Sequence, residues 1–294
     1  MNSPTTMTKP QITLRPGRPE DAAELGKICF EAFAAIADQH NFPHDFPNAE
    51  VGIGFMNMLF SRPDCYSVVA EYEGKIAGSN FLWEGDAVKG VGPITVDPAV
   101  QNSSIGRALM QDVLAHAAEA RPLAVRLVQS AYHNRSLSLY TKLGFDAVEP
   151  LSMIQGQPLQ TTIEGTTVRP MTAEDITHAD ELSLRVHGHT RHTEVVEAVQ
   201  NGSARVTERG GRITGYVTTL GFFGHAVGET NEDLKAIIAA ADAFAGPGFL
   251  LPTRNAEVLR WCLNNGLRII QPMTLMSTGF YQDPKGAFLP SVLY

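Results

Sequence analysis

Apolar residues recur at two spacings along the first half of the chain, and these spacings predict alternating strands and helices. Short β-branched runs predict strands at residues 12–15, 66–72, 75–83, 88–96, 124–130 and 145–153. Apolar positions three or four residues apart predict helices over residues 25–36, 51–59, 105–117 and 137–143. Glu73-Gly74 separates the second and third strands, and this dipeptide is typical of a tight hairpin.

A polar loop at residues 97–104 joins the fourth predicted strand to a helix. Asp97-Pro98 ends the strand because proline cannot continue a hydrogen-bonded ladder, and Ser103 or Ser104 can cap the helix. The loop therefore offers backbone N–H groups at the positive end of a helix dipole, where a phosphate can bind. Gly106 leaves room for a phosphate to approach the backbone.

The second half of the chain repeats motifs of the first half in the same order. The sequence RPGRPED at 15–21 returns as RPMTAED at 169–175, and VAEYEGKIAG at 69–78 returns as VTERGGRITG at 206–215. The physical interpretation is a duplicated fold. We predict a disordered tail at residues 1–10, an N-terminal domain at 11–155, a linker at 156–165 and a C-terminal domain at 166–294.

The second copy does not keep the polar loop. Residues 224–233 lack the Val-Asp-Pro strand end, and Glu229, Glu232 and Asp233 stand at the start of the next predicted helix. Carboxylates at that place satisfy the helix dipole themselves and repel a pyrophosphate. We expect the C-terminal domain to keep the fold without a cofactor site. Leu234, Ile237, Ile238, Ala241 and Phe244 form the apolar stripe of its helix.

Two motifs in the first copy resemble the GNAT N-acetyltransferase superfamily. VDPAVQNSSIGRAL at 96–109 resembles the family's acetyl-CoA signature, Gln/Arg-x-x-Gly-x-Gly/Ala after a strand, and NRSLSLYTKLGF at 134–145 is similar to the next family motif. Ser104 replaces the first glycine of the signature. The resemblance implies an α/β fold of two tandem GNAT-like units, each with a mixed, mostly antiparallel sheet, flanking helices and splayed parallel central strands.

The resemblance also implies acetyl-CoA as cosubstrate, without a metal. Its pantetheine arm would lie between the splayed strands 91–96 and 124–130, and Tyr140 would lie near the sulfur as the acid that protonates the leaving thiolate. The cofactor-binding residues implied in this way are Ile94, Thr95, Val96, Gln101, Asn102, Ser103, Ser104, Ile105, Gly106, Arg107, Ala108, Asn134 and Tyr140. From residue type alone, Tyr140 could be a core residue, Asn134 a helix N-cap and Arg107 a solvated side chain.

Candidates for the acceptor site are fewer. His40, His44 and Asp45 lie in the loop where family members shape the acceptor pocket. No carboxylate lies within the strand predicted at 88–96, so Glu84 and Asp86 in the preceding turn could act as a base only through water. The segment 279–294 is apolar. It forms either an edge strand of the second sheet or an extension that places the Tyr294 carboxylate in the first active site.

These patterns favour an N-acetyltransferase that moves the acetyl group of acetyl-CoA directly to a primary amine in a ternary complex. The acceptor would be a small molecule or another amino-group substrate. The alternative is a non-catalytic sensor or scaffold that binds CoA or acyl-CoA, which Ser104 and the missing base would permit.

Composition narrows the partners and the compartment. A net charge of −8 disfavours general nucleic-acid binding. No apolar run reaches the ~18 residues of a membrane span, and residues 1–10 lack the apolar core of a secretory signal. Three scattered cysteines suit a reducing compartment. We therefore expect a cytoplasmic protein with no nucleic-acid partner and no membrane attachment.

One histidine-rich run, His187-Gly188-His189-Thr190-Arg191-His192, has the composition of a metal cluster. No cysteine or carboxylate accompanies it at ligand spacing. We predict a solvated loop after a helix, with no metal bound.

Overall fold

The computed structural model describes residues 11–293 of a mixed α/β chain, and contacts divide them into two compact units. The first unit comprises residues 11–82 and 92–119, and the second comprises 83–91 and 120–293. The strands are β1 Ile12–Pro16, β2 Cys65–Tyr72, β3 Lys75–Trp83, β4 Val88–Val91, β5 Thr95–Val96, β6 Ala124–Ser130, β7 Asp146–Gln155, β8 Thr167–Pro170, β9 Arg205–Arg209, β10 Arg212–Val217, β11 Ala226–Gly228, β12 Phe249–Pro252, β13 Arg268–Gly279 and β14 Ala287–Leu289. The helices are α1 Ala22–His40, α2 Ala49–Ser61, α3 Ile105–Glu119, α4 Asn134–Lys142, α5 Ile176–His187, α6 His192–Gln200, α7 Asn231–Ala240 and α8 Ala256–Asn264.

The first unit is built on the antiparallel strands β1, β2 and β3, with β5 paired to β3. The β2–β3 turn has positive φ at both Glu73 (52°) and Gly74 (77°). Both central residues of a type I′ hairpin need this conformation, so the predicted hairpin is confirmed. Helix α3 buries Ile105, Leu109 and Val113 on its apolar face.

Helices α1 and α2 cross with their backbones nearly in contact. A Cβ at Gly26 would lie 2.5 Å from the Ile53 nitrogen, and a Cβ at Gly52 would lie 2.5 Å from the Gly26 carbonyl oxygen. Only residues without side chains allow this approach. The crossing holds the loop of residues 41–48 between the two helices.

In the second unit, the two copies of the repeated motif exchange strands. Strand β13 pairs antiparallel with β6 on one side and with β7 on the other, and β12 pairs with the far edge of β7. The last long strand of each copy therefore pairs with the preceding strand of the other copy. Strand β4 adds to β6 in parallel. A second sheet follows the order β14-β11-β10-β9-β8.

The repeated motifs build the same ion-pair network in each unit. In the first, the Arg15 guanidinium donates to Asp21 at 2.7 and 2.8 Å and to Glu71 at 2.7 Å. In the second, Arg169 donates to Asp175 at 2.7 and 3.0 Å and to Glu208 at 2.8 Å.

Each network fixes the start of the following helix, because the aspartate also accepts a backbone N–H three residues before it. Hydrogen bonding to Arg169 lowers the pKa of Asp175 far below its usual value. The common geometry supports the predicted duplication.

Two expectations of secondary structure differ from the structure. The strand predicted at 88–96 is broken into β4 and β5, because Pro93 has no N–H for a ladder and Gly92 has a φ of 131°. The helix predicted from Leu234 to Phe244 is shorter than expected, since α7 stops at Ala240. Phe244 lies beyond the helix and packs on the same core. The two compact units do not coincide with the two predicted domains, since residues 83–91 and 120–155 belong to the second unit. The predicted domain boundaries stay a prediction.

The α1–α2 crossing generates a test of stability. Gly26→Ala is expected to lower the free energy of unfolding by about 1–3 kcal/mol, because the new methyl group overlaps the Ile53 backbone. Gly54→Ala is the matched control on α2, where nothing lies within 4 Å of an added Cβ, and it should stabilise by up to about 1 kcal/mol through helix propensity. Urea denaturation followed by circular dichroism measures both, and equal effects would contradict the crossing.

Candidate functional site

The polar loop of the first unit is held by its own side chains. The Asp97 carboxylate accepts from the Ala99 N–H at 2.8 Å, and the Ser103 hydroxyl donates to the Val100 carbonyl at 2.6 Å. Helix α3 starts at Ile105, and the Ala108 N–H donates to the Ser104 carbonyl at 3.1 Å. The N–H groups of the residues before Ala108 belong to the first helical turn, which has no intrahelical acceptors for them.

Two residues of this loop adopt the left-handed conformation. Asn102 has a φ of 70° and Ser104 has a φ of 73°. Asparagine tolerates this region and serine does so less readily, since its Cβ crowds the backbone. Ser104 therefore stands, with some strain, where the family signature has glycine. Both side chains are exposed, as is Arg107, while Ile105 is buried and Gln101, Ser103, Gly106 and Ala108 are half-buried.

Strand β5 precedes the loop and is packed tightly against β3. Gly78 faces Thr95 so closely that an added Cβ would overlap the Thr95 carbonyl oxygen. Thr95 is buried, and Ile94 and Val96 are half-buried. The hydroxyls of Thr95 and of Ser79, its partner in the β3–β5 pair, have no hydrogen-bond partner among the described residues.

In the second unit, β6 leads into α4, which carries Asn134 and Tyr140. Asn134 is the exposed first residue of α4, and the helix is capped by His133, whose Nδ1 accepts from the Ser136 N–H at 3.1 Å. The N-cap alternative for Asn134 is therefore wrong. Tyr140 is 5% exposed and its ring lies edge-on to Phe145. Burial raises the pKa of Tyr140 to about 12, so the phenol is protonated at neutral pH.

The acceptor candidates fall in both units. In the first, His44 Nε2 lies 2.7 Å from an Asp38 carboxylate oxygen, and His40 and Asp45 are half-buried at the end of α1 and in the following loop. In the second, Glu84 is half-buried and its carbonyl accepts from Lys89. The Asp86 carboxylate accepts from the Thr193 N–H at 3.0 Å in the first turn of α6, which is a structural role. Tyr294 lies outside the described residues.

The corresponding helix of the second copy, α7, has its N-terminus satisfied internally. Buried Asp233 accepts from the Thr230 N–H at 2.8 Å, from the Thr230 hydroxyl at 2.9 Å and from the Thr214 hydroxyl at 2.6 Å. Glu229 points instead to Arg212, in two bonds of 2.7 Å. In α3, by contrast, the first turn contains no acidic residue.

The tail of the chain pairs with the second copy's own sheet. Strand β14 is antiparallel to β11. The Ser291 hydroxyl then donates to the Phe223 carbonyl at 3.0 Å. As far as Leu293, the tail matches the edge-strand alternative.

Most of the histidine-rich run is buried, although His192 is exposed, so the predicted solvated loop is wrong. His187, His189 and Arg191 are 9%, 3% and 8% exposed. Their partners come from distant parts of the sequence, among them Arg126 on β6. No group of three or more metal-ligating side chains occurs among residues 11–293.

Comparisons with known proteins bear on the family resemblance and on the fold. Residues 30–145 match the family model described as "Acetyltransferase (GNAT) family". No curated protein matches the chain at a significant level.

Three solved structures share the fold over nearly the whole chain. A proposed acetyltransferase from Pyrococcus horikoshii is 16% identical, with 98% of this chain and 97% of that chain covered and a TM-score of 0.69. A GCN5-related N-acetyltransferase from Sphaerobacter thermophilus is 15% identical, with 92% and 98% covered and a TM-score of 0.57. A tandem GNAT protein from the clavulanic acid biosynthesis pathway is 15% identical, with 91% and 98% covered and a TM-score of 0.54. The fold is therefore that of tandem GNAT proteins.

The described part of the chain contains no helix that is both long and apolar enough to span a bilayer.

The backbone of the loop generates a second test. Ser104→Gly is expected to raise the free energy of unfolding by roughly 0.5–1 kcal/mol, because glycine adopts the left-handed region without a Cβ penalty. Ser103→Gly is the matched control. Its φ is not positive and it would lose the bond to Val100, so it should destabilise. Thermal unfolding of both variants measures the difference, and a destabilised Ser104→Gly protein would contradict the assigned conformation.

Proposed function

We propose that the protein is an N-acetyltransferase that moves the acetyl group of acetyl-CoA to a primary amine. The observation that carries this proposal is the loop 101–108. It contains the residues that resemble the family signature, it leads into a helix α3 with no acidic residue in its first turn, and it lies within the residues that match the family model. Pyrophosphate oxygens would accept hydrogen bonds from the backbone N–H groups of the first turn of α3, where the helix dipole favours negative charge. Gly106 would leave space for them.

The pantetheine arm would pair with the backbone of Ile94, Thr95 and Val96. Gly78 supports this assignment indirectly, because it positions β5 by close contact with Thr95. The unpartnered Thr95 hydroxyl is a further polar group in this region of the first unit. Asn134, exposed at the start of α4, would hydrogen-bond a pantetheine amide.

Tyr140 would act as the general acid. The amine nitrogen attacks the thioester carbon, the C–S bond breaks, and the sulfur takes the phenolic proton of Tyr140. A pKa of about 12 keeps that proton on the oxygen until the thiolate forms. The amine must arrive neutral, its excess proton would leave through water with Glu84 as the candidate acceptor, and the Tyr140 phenolate would regain a proton from solvent.

The acceptor would be a small molecule. The loop of residues 41–48, with His40, His44 and Asp45, is the candidate for its binding site. The −8 net charge mildly favours a cationic amine.

One CoA is expected to bind per chain, at the first copy. Asp233 already occupies the helix N-terminus of the second copy, and β14 pairs with its β11. Isothermal titration calorimetry should give a stoichiometry of one, and two equivalent sites would refute the assignment.

Gly106→Glu should abolish CoA binding in the same titration. The new side chain would fill the phosphate position and repel it by like charge. Gly54→Glu adds the same charge in open space on α2 and should bind CoA normally. Equal affinities in the two variants would contradict the site.

Tyr140→Phe should lower kcat by about 10-fold to 1000-fold and change CoA affinity little, because a proton donor to the thiolate acts in the transition state. Thiol release from acetyl-CoA, measured with a panel of amines, gives kcat. Tyr66→Phe serves as the control. It removes the phenol of a β2 residue, which donates to Asp112 at 2.7 Å. Wild-type kcat in Tyr140→Phe would return Tyr140 to a packing role.

A non-catalytic acyl-CoA sensor is the second candidate. It is favoured by the capping role of Asp86, which removes one of two candidate bases, and by the strained Ser104. Thermal stabilisation by acetyl-CoA with no thiol release from any amine in the panel would select the sensor.

A further inference from the structure

A cluster of phenylalanine rings joins the loop of residues 41–48 to both helices beside it in the first unit. Phe46 in the loop lies edge-on to Phe33 of α1, with ring centroids 5.7 Å apart, and its ring is tilted against Phe55 of α2 at 5.8 Å. All three rings are half-buried, so each keeps part of its surface in solvent. The cluster is therefore an apolar surface as well as a packing contact.

The outward side of α2 extends the cluster. Val51 and Met58 are 46% and 37% exposed, and they lie on the same side of the helix as Phe55, because the three positions follow the i, i+4, i+7 spacing. Contiguous exposed apolar surface marks binding sites, whereas apolar side chains exposed singly do not. We call Phe33, Phe46, Val51, Phe55 and Met58 together the aromatic surface.

The loop that carries Phe46 is fixed at both ends. The Phe42 N–H donates to the Ala37 carbonyl at 2.9 Å where α1 ends, and the Asn48 side-chain oxygen accepts from the Val51 N–H at 3.0 Å where α2 begins. A surface that is already ordered loses little conformational entropy when a ligand binds. The aromatic surface is thus suited to a small ligand, which has few contacts with which to offset such a loss.

The segment that forms the aromatic surface carries formal charge of one sign. Residues 28–61, from α1 to the end of α2, contain neither lysine nor arginine. Their acidic residues are Glu31, Asp38, Asp45 and Glu50, of which Asp45 is half-buried and the others are exposed. Arg62 follows directly and is paired with Asp64 at 2.9 Å. The local potential of this segment therefore favours cations.

Charge and apolarity together limit what can cover the aromatic surface. A second copy of the chain on the same face would bring two acidic segments together, and like charges across an interface are unfavourable. Anionic lipid surfaces and nucleic acids would be repelled in the same way. A ligand with an aromatic ring and one positive charge fits both features, because its ring packs on the exposed phenylalanines and its charge is attracted.

We propose that the aromatic surface selects the acceptor, and that the acceptor is a primary amine on a short alkyl chain that ends in an aromatic ring. This inference rests on the proposed acetyl transfer and names its substrate class. The ring of the amine would pack against Phe46 and its neighbours Phe33 and Phe55. The ammonium would lie in the field of Asp45 and Glu50, and it would lose its proton to water before it attacks the thioester.

The probes are phenethylamine, ethylamine, which lacks the ring, and phenethyl alcohol, which lacks the charge. Calorimetry measures their binding to the full-length protein, with and without saturating CoA. Phenethylamine is expected to bind at least about 10-fold more tightly than ethylamine, since only phenethylamine buries a ring. It is expected to bind about 2-fold to 5-fold more tightly than the alcohol, since only the amine is charged. Equal affinity for ethylamine would overturn the aromatic preference, and equal affinity for the alcohol would overturn the charge preference.

Turnover separates this inference from the proposed function. Thiol release from acetyl-CoA gives kcat/KM for phenethylamine, ethylamine and spermidine. Equal kcat/KM for the three amines would leave acetyl transfer standing and overturn the substrate class. Selective binding of phenethylamine without thiol release would support the amine site and refute acetyl transfer.

Variants locate the site. Phe46→Ala should weaken phenethylamine about 5-fold to 10-fold, through the lost ring contact, and leave ethylamine unchanged. Phe223→Ala is the matched control, because it truncates a phenylalanine that is 41% exposed in the second unit, and it should leave both affinities unchanged. Should Phe46→Ala fail to fold by circular dichroism, Phe55→Leu, which keeps an apolar side chain without the ring, decides instead. Unchanged phenethylamine affinity in the folded variant would overturn the proposal.

The oligomeric state tests the competing occupant. Sedimentation velocity should give a monomer, or an oligomer that Val51→Asp leaves intact. A dimer that dissociates in Val51→Asp would place a second copy on the aromatic surface and overturn the proposal.

Discussion

The central physical constraint of the second unit is the position of β13 between β6 and β7. Each backbone N–H and C=O of a buried strand needs a partner, and β13 supplies partners to two strands of the first copy at once. The strand–helix segment that carries Asn134 and Tyr140 is consequently fixed by hydrogen bonds from the second copy. A change in β13 is therefore expected to act on Tyr140, although the two belong to different copies of the repeat.

Local signals allowed much of the fold to be predicted from the sequence. Glu73-Gly74 specifies its hairpin because both residues adopt positive φ, and Arg15 and Asp21 pair at a separation of only six residues. The break between β4 and β5 was missed because Val88, Val91, Ile94 and Val96 continue a strand-like composition across Gly92-Pro93. The proline was the signal that should have divided the strand. Strand exchange could not be predicted, since it depends on pairing between segments far apart in sequence.

The prediction of individual residues met the same limit, because only contiguous motifs can be located from the sequence. The loop 97–108 was located because its motif is contiguous. The burial of His187, His189 and Arg191 was missed because their partners, Arg126 and His225, are distant in the chain. One local signal was present, since Glu194 follows Arg191 at the i,i+3 spacing of helix-surface ion pairs. A polar run is compatible with burial whenever such compensation is available.

The two copies differ most in what satisfies a helix N-terminus. The first-turn N–H groups of a helix require acceptors, and either an internal carboxylate or an external anion can provide them. In α7, Asp233 accepts from the N–H of the N-cap residue Thr230, and it is buried and held in place by the hydroxyls of Thr214 and Thr230. In α3 no acidic residue stands in the first turn, and Ser104 just before it adopts the left-handed conformation. The two helix N-termini thus differ in whether a carboxylate stands in the first turn, which is the physical basis for proposing a single cofactor per chain.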